Sequence, residues 1–117
     1  MKIAAISSII FLFSITYANA ASIEGKWAMK AAHCDYENGE QVSQNESVDG
    51  NITISGKTYE AYEGSCRIRS AKQSGSTWRL QLRCDSEGET SNSTVTIRLK
   101  DDNTAIFSQG GQMVRCR

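Results

Sequence analysis

The sequence predicts an all-β protein, a small antiparallel barrel or compact sandwich of about seven to eight short strands stabilised by two disulfides. Three observations predict it. Short alternating runs of β-branched, aromatic and aliphatic residues recur between clusters of Gly, Asn, Asp and Ser. Beyond the N-terminus no apolar i, i+3, i+4, i+7 pattern persists, and the spacers are too short to hold crossover helices. Proline is absent, so nothing vetoes any of the strands.

The chain opens with Lys2, an apolar run from Ile3 to Ile15, and the small residues Ala18 and Ala20 at the minus three and minus one positions of a cleavage site. Such a run is too short for a membrane span and lacks a basic stop-transfer flank, so 1–20 is expected to be a cleavable signal and 21–117 a single exported domain, periplasmic or secreted. The sequons at Asn45, Asn51 and Asn92 matter only in a eukaryotic secretory pathway, and the signal has a bacterial look.

Gly25 to Ala32 is expected to form the first strand, with Trp27, Met29 and Ala31 on one face. Asp35 to Gly50 is expected to be a solvated, mobile loop, because it holds Asp35, Glu37, Glu40, Glu46 and Asp49 and no basic residue. Asn51 to Ser55 and Thr58 to Tyr62 flank a Ser55-Gly56-Lys57 turn, with Ile52 and Ile54 inward. Arg67 to Gln73 and Thr77 to Cys84 flank Ser74-Gly75-Ser76. Thr94 to Lys100, Thr104 to Ser108 and Gln112 to Cys116 complete the set, separated by Asp101-Asp102-Asn103 and Gly110-Gly111.

A middle hairpin centred on Gly75 pairs Cys66 with Cys84, Ile68 with Leu82 and Ser70 with Leu80 on the core face. The outer face then carries Arg67 opposite Arg83 and Arg69 opposite Gln81, with Arg79 close by and Arg98 of the next strand turned the same way. Extended past Gly64, the same register brings Glu63 towards Glu87 at the end of this Arg-rich patch. The charge balance of the whole chain, 13 bases against 13 acids, hides a dipolar arrangement: residues 21–66 hold three lysines against eight acids, and 67–117 nine bases against five acids.

Cys34, Cys66, Cys84 and Cys116 read as two disulfides, because a metal knuckle needs Cys two to four residues apart. The hairpin register permits Cys66 with Cys84, leaving Cys34 with Cys116. Directly opposed positions often strain a bridge, which tilts the expectation towards Cys34 with Cys66 and Cys84 with Cys116. The spacing leaves the choice open.

Catalytic chemistry finds little support. His33 is the single histidine and its neighbour Cys34 lies on the opposite side of an extended chain, so a Cys-His dyad is not expected. Paired carboxylates could serve glycoside chemistry, and Glu63 and Glu87 are the one pair the register places near each other; beside several arginines they read as charge neutralisers. No Gly-rich loop opens a helix, so no nucleotide cofactor is expected; the basic patch lacks interleaved aromatics, which argues against nucleic acid.

Gly25-x-Trp27, Cys34, Ile52-x-Ile54, Tyr62-Glu63-x-x-Cys66, Trp78-x-Leu80-x-Leu82-x-Cys84-x-x-Glu87-Gly88 and Arg115-Cys116 together resemble a group of small exported four-cysteine β proteins of alphaproteobacteria. That resemblance implies fold and compartment and carries no activity. In size, signal, disulfide content and β character the chain also resembles the periplasmic lysozyme inhibitors. Their C-type group uses Ser-Gly and Lys-Tyr elements, of which only Ser74-Gly75 before Trp78 has a counterpart here.

The functional expectation is a non-catalytic binding protein without metal or cofactor, its binding residues Arg67, Arg69, Arg79, Arg83, Arg98, Glu63 and Glu87. Its partner is expected to be a protein of the periplasm or of host fluid, such as lysozyme or another envelope-degrading hydrolase that it inhibits. The alternative is a structural or stress protein that binds anionic envelope polymers through the arginine face.

Overall fold

A computed structural model of the chain describes residues 23–62 and 64–117. The expected signal, its cleavage site at Ala18 and Ala20, and Glu63 lie outside the described residues. Eight strands close into an antiparallel barrel: β1 (Gly25–Ala28), β4 (Ile52–Ser55), β5 (Thr58–Ala61), β6 (Gly64–Ser74), β7 (Thr77–Ser86), β8 (Glu89–Asp101), β9 (Thr104–Phe107) and β10 (Gly111–Arg115). Each pairs with its neighbour in sequence, and β1 closes the ring by pairing with both β4 and β10. Closure leaves no unpaired edge in the main sheet, as an exposed flat edge would invite aggregation.

Alternation drives the closure. Trp27, Ile54, Tyr59, Trp78, Leu80, Val95, Ile97, Phe107 and Met113 all point inward and are buried, while Arg79, Gln81, Arg83 and Arg98 between them face out. Turn chemistry sets the register. Gly56 and Gly75 take φ of 56° and 60° at the first central position of two-residue turns, where a type II′ hairpin needs glycine. The β7–β8 turn differs, because Glu87 and Gly88 both have positive φ, 52° and 82°, the pattern of a type I′ turn.

The segment between β1 and β4 departs from expectation. The first strand stops at Ala28 and a 3₁₀ turn spans Ala31–Asp35, so Met29 does not join Trp27 in the core and is 51% exposed. Past it lies a small hairpin of β2 (Gln41–Ser43) and β3 (Glu46–Ser47), in place of a wholly solvated loop. Its anchors are apolar and polar together. Val48 is fully buried, His33 Nε2 lies 2.7 Å from Glu46 Oε1, and Asn51 Nδ2 donates to the carbonyls of His33 and Tyr36. Lys26 Nζ ties the same segment to the barrel by donating to the carbonyls of Cys34 and Tyr36. Asn51 is 96% buried in this arrangement by virtue of an exposure of 4%, so its sequon is closed in the folded chain.

Both disulfides differ from the pairing towards which strain arguments tilt. Cys34 is bridged to Cys116, and Cys66 to Cys84. The Cys66 and Cys84 Cα atoms are 4.0 Å apart, nearer the close spacing of a non-hydrogen-bonded antiparallel pair than the wider spacing of the alternate pairs. Directly opposed inward positions are therefore within bridging reach here, and this bridge lies on the core side of β6 and β7.

The two ends of the barrel are unlike. At the end where β1 begins, Ile23 and Trp27 are fully buried, Trp27 Nε1 donates to the Ile23 carbonyl, and the Arg115 guanidinium lies 4.4 Å from the centre of the Trp27 ring. Arg115 also donates from Nε to the Asp102 carbonyl and from Nη1 to that of Glu24, which fills this end. The other end bears the excursion between β1 and β4 and the turns β5–β6, β7–β8 and β9–β10.

Candidate functional site

Strands β6 and β7 form a long hairpin, and its outer face gathers most of the arginines predicted to act together. Arg67 stands directly opposite Arg83, as the register predicts, and both are exposed. Arg98, outward on β8, pairs with Thr77, which places it diagonally from Arg79, itself paired with Thr96.

The upper half of the hairpin runs in a different register from the one predicted. The two-residue Gly75-Ser76 turn makes Ser70 face Gln81, Ala71 face Leu80 and Lys72 face Arg79, and a bulge between Ile68 and Ser70 returns the strands to the expected pairs from Ile68 downwards. Arg69 is the extra residue and opposes none, correcting its expected pairing with Gln81, and Ser70 does not pair with Leu80. A bulge leaves its extra residue outside the ladder and keeps the flanking apolar residues on the core side. Ile68 and Ala71 accordingly both pack against the core. The consequence is a second opposed pair of cations, Lys72 with Arg79, which a uniform register conceals. The clue lay in the spacing of Cys66, Ile68 and Ala71, where the period of two breaks to three.

Directly opposed like charges destabilise a sheet by roughly 0.2–1 kcal/mol per pair, and here two such pairs sit on one hairpin. Among the described residues no carboxylate approaches Arg67, Arg69, Lys72, Arg79, Arg83 or Arg98 within 4.0 Å; the described ion pairs are those of Lys26 with Glu37 and of Lys30 and His33 with Glu46. Asp85, which like Glu60 pairs with Ser65 two residues from Arg67, shares a shallow depression with Thr58, Ser65, Arg67, Arg69 and Arg83. Its carboxylate accepts a hydrogen bond from Thr90 Oγ1 at 2.7 Å.

Glu87 occupies the β7–β8 turn beyond Asp85, at the end of the hairpin. Its expected partner Glu63 lies outside the described residues, so the two are not brought together as a described pair. His33 and Cys34 are committed elsewhere, the one to Glu46 and the other to Cys116. Among the described residues no group of three or more His, Cys, Asp or Glu is placed to hold a metal ion, and no helix is long and apolar enough to cross a membrane.

The acidic residues group separately. Glu37, Glu40 and Asp49 are exposed on the excursion between β1 and β4, and Glu46 is held there by Lys30 at 2.9 Å and by His33. The Lys30 ammonium, with His33 second, holds the Glu46 carboxyl below its ordinary range. The segregation of charge along the chain thus becomes segregation between an acidic excursion and a basic hairpin. No protein family, curated protein or solved structure matches this chain.

Proposed function

We propose that this is a non-catalytic binding protein of the bacterial envelope that receives an acidic partner on the outer face of β6, β7 and β8. The observation that carries the reading is the pair of opposed cation pairs, Arg67 with Arg83 and Lys72 with Arg79, none of which has a described carboxylate within 4.0 Å. A fold gains nothing from such pairs, whereas a ligand that supplies the missing anions recovers their cost. From Arg83 to Arg79 along β7 is four residues, roughly 13 Å at strand rise, so the cations form a ladder suited to an extended polymer with repeated negative charges. The disulfides and the signal-like N-terminus support an oxidising compartment outside the cytoplasm.

Retention of the oxidised protein on immobilised polyglutamate tests the reading. Native protein is expected to bind and to elute with rising salt, since the contact is charge on charge. A variant carrying Arg69→Glu and Arg79→Glu is expected to pass through. Equal retention of the two, or retention indifferent to salt, would remove the proposal.

Inhibition of an envelope-degrading hydrolase is the second reading, favoured by the acidic excursion anchored to a doubly stapled barrel, which offers carboxylates to a basic cleft. An unchanged rate of lysozyme at saturating protein would remove its lysozyme form.

A further inference from the structure

The open end of the barrel holds a cavity of about 330 Å³, within the range of small-molecule sites. Its floor is apolar, made by Ile52, Tyr59, Leu82 and the Cys66–Cys84 bridge. Burial among these groups pushes the Tyr59 phenol up to about 12. The large apolar side chains exposed on the described surface are Met29 and Tyr62, at 51% and 57%, and both line this same cavity. Chance scatter does not put them there, because each is seated on a glycine. A Cβ on Gly50 would fall 2.7 Å from the Met29 sulfur, and one on Gly39, at φ +97°, would fall 3.4 Å from the Tyr62 ring.

The charge on the described wall is one-sided. Asp49 is the charged residue among the described lining, and it has no ion pair with a described residue. Asn51, also in the lining, is committed to the fold, its Nδ2 donating to the carbonyls of His33 and Tyr36. No described cation lines the cavity to receive an anionic head.

We propose that the barrel mouth is a binding site for a small cationic amphiphile, an apolar chain or ring ending in a protonated amine, with the apolar body against Leu82 and the disulfide and the ammonium paired with the Asp49 carboxylate at the rim. This site is separate from the cationic ladder, and its ligand has the opposite charge.

Calorimetric titration of the oxidised protein with octylamine and with octanoate, at one ionic strength, tests it. Octylamine is expected to bind saturably at one site and octanoate at least tenfold more weakly. Asp49→Asn, on an exposed side chain, is expected to shrink that preference to under threefold. Ser93→Phe fills the cavity from β8 and is expected to abolish octylamine binding while the thermal transition persists. The Arg69→Glu, Arg79→Glu protein is expected to bind octylamine as the native protein does, which separates this site from the polyanion reading. Absence of saturable octylamine binding, octanoate binding as tight as that of octylamine, or a preference untouched by Asp49→Asn would overturn the proposal.

Discussion

At the residue scale, single side chains carry costs that substitution can recover. Glu87 holds a positive φ of 52° in a turn whose two central positions both require it, a conformation that suits Asn and Gly far better than Glu. Glu87→Asn is expected to raise stability by roughly 0.5–1 kcal/mol, read as a higher urea midpoint at unchanged slope. A lower midpoint would show that the Glu87 side chain contributes something the turn geometry does not. Glu46 has a pH signature. Its carboxyl is held below the ordinary value of 4.5 by Lys30 and then His33, so the folded state favours the charged form. The resulting stabilisation is complete above the ordinary carboxylate range and is lost as pH falls through the lowered folded value. Glu46→Gln is expected to flatten the decline in urea midpoint between pH 5 and pH 3 relative to the parent, and parallel declines in the two proteins would contradict the assignment.

At the scale of the element, the β6–β7 hairpin sets function against stability. Arg67→Glu converts an opposed like-charge pair into an opposite-charge pair with Arg83 and is expected to stabilise the fold by about 0.2–1 kcal/mol. The same change is expected to weaken retention on polyglutamate. Stability and binding moving in the same direction would mean that the arginines serve only the sheet. The hairpin also marks how far the sequence could be read. Its lower half, Cys66 with Cys84 through Ile68 with Leu82, pairs as a register centred on Gly75 predicts, because the bulge at Arg69 offsets the two-residue turn. Its upper half does not, because the Gly75-Ser76 turn puts Ser70 in place of Arg69 opposite Gln81 and Lys72 in place of Ala71 opposite Arg79. One extra residue leaves composition and propensity unchanged, so only the interrupted apolar spacing records it. The excursion between β1 and β4 escaped reading for a different reason. Its fixed points are a buried Val48 and side chains of His33, Asn38 and Asn51 bonded across long sequence separations, and a polar stretch with distant partners has no local signature.

At the scale of the whole molecule, a chain this short has a modest core, and the two bridges divide the work of stabilising it unequally. Which cysteines pair was not legible in their spacing, because closeness across the barrel depends on where β1 and β10 meet. Cys116 follows β10, its backbone N–H donates to the Lys26 carbonyl of β1, and Cys34 stands on the 3₁₀ turn just beyond β1. The Cys34–Cys116 bridge therefore fastens the seam where the first and last strands close the ring, across a separation of 82 residues, whereas Cys66–Cys84 spans 18 within one hairpin. Restriction of the unfolded chain grows with the logarithm of the loop, giving about 4.5 kcal/mol for the first bridge and about 3 kcal/mol for the second. Cys34→Ala with Cys116→Ala is accordingly expected to lower the unfolding free energy by more than Cys66→Ala with Cys84→Ala, by about 1 kcal/mol in urea denaturation. The inner pair adds a cavity term when truncated, since both sulfurs face the core, so its cost approaches that of the seam from below. A larger loss from the inner pair would mean that packing at the barrel mouth, and not closure of the ring, is the principal work of the disulfides.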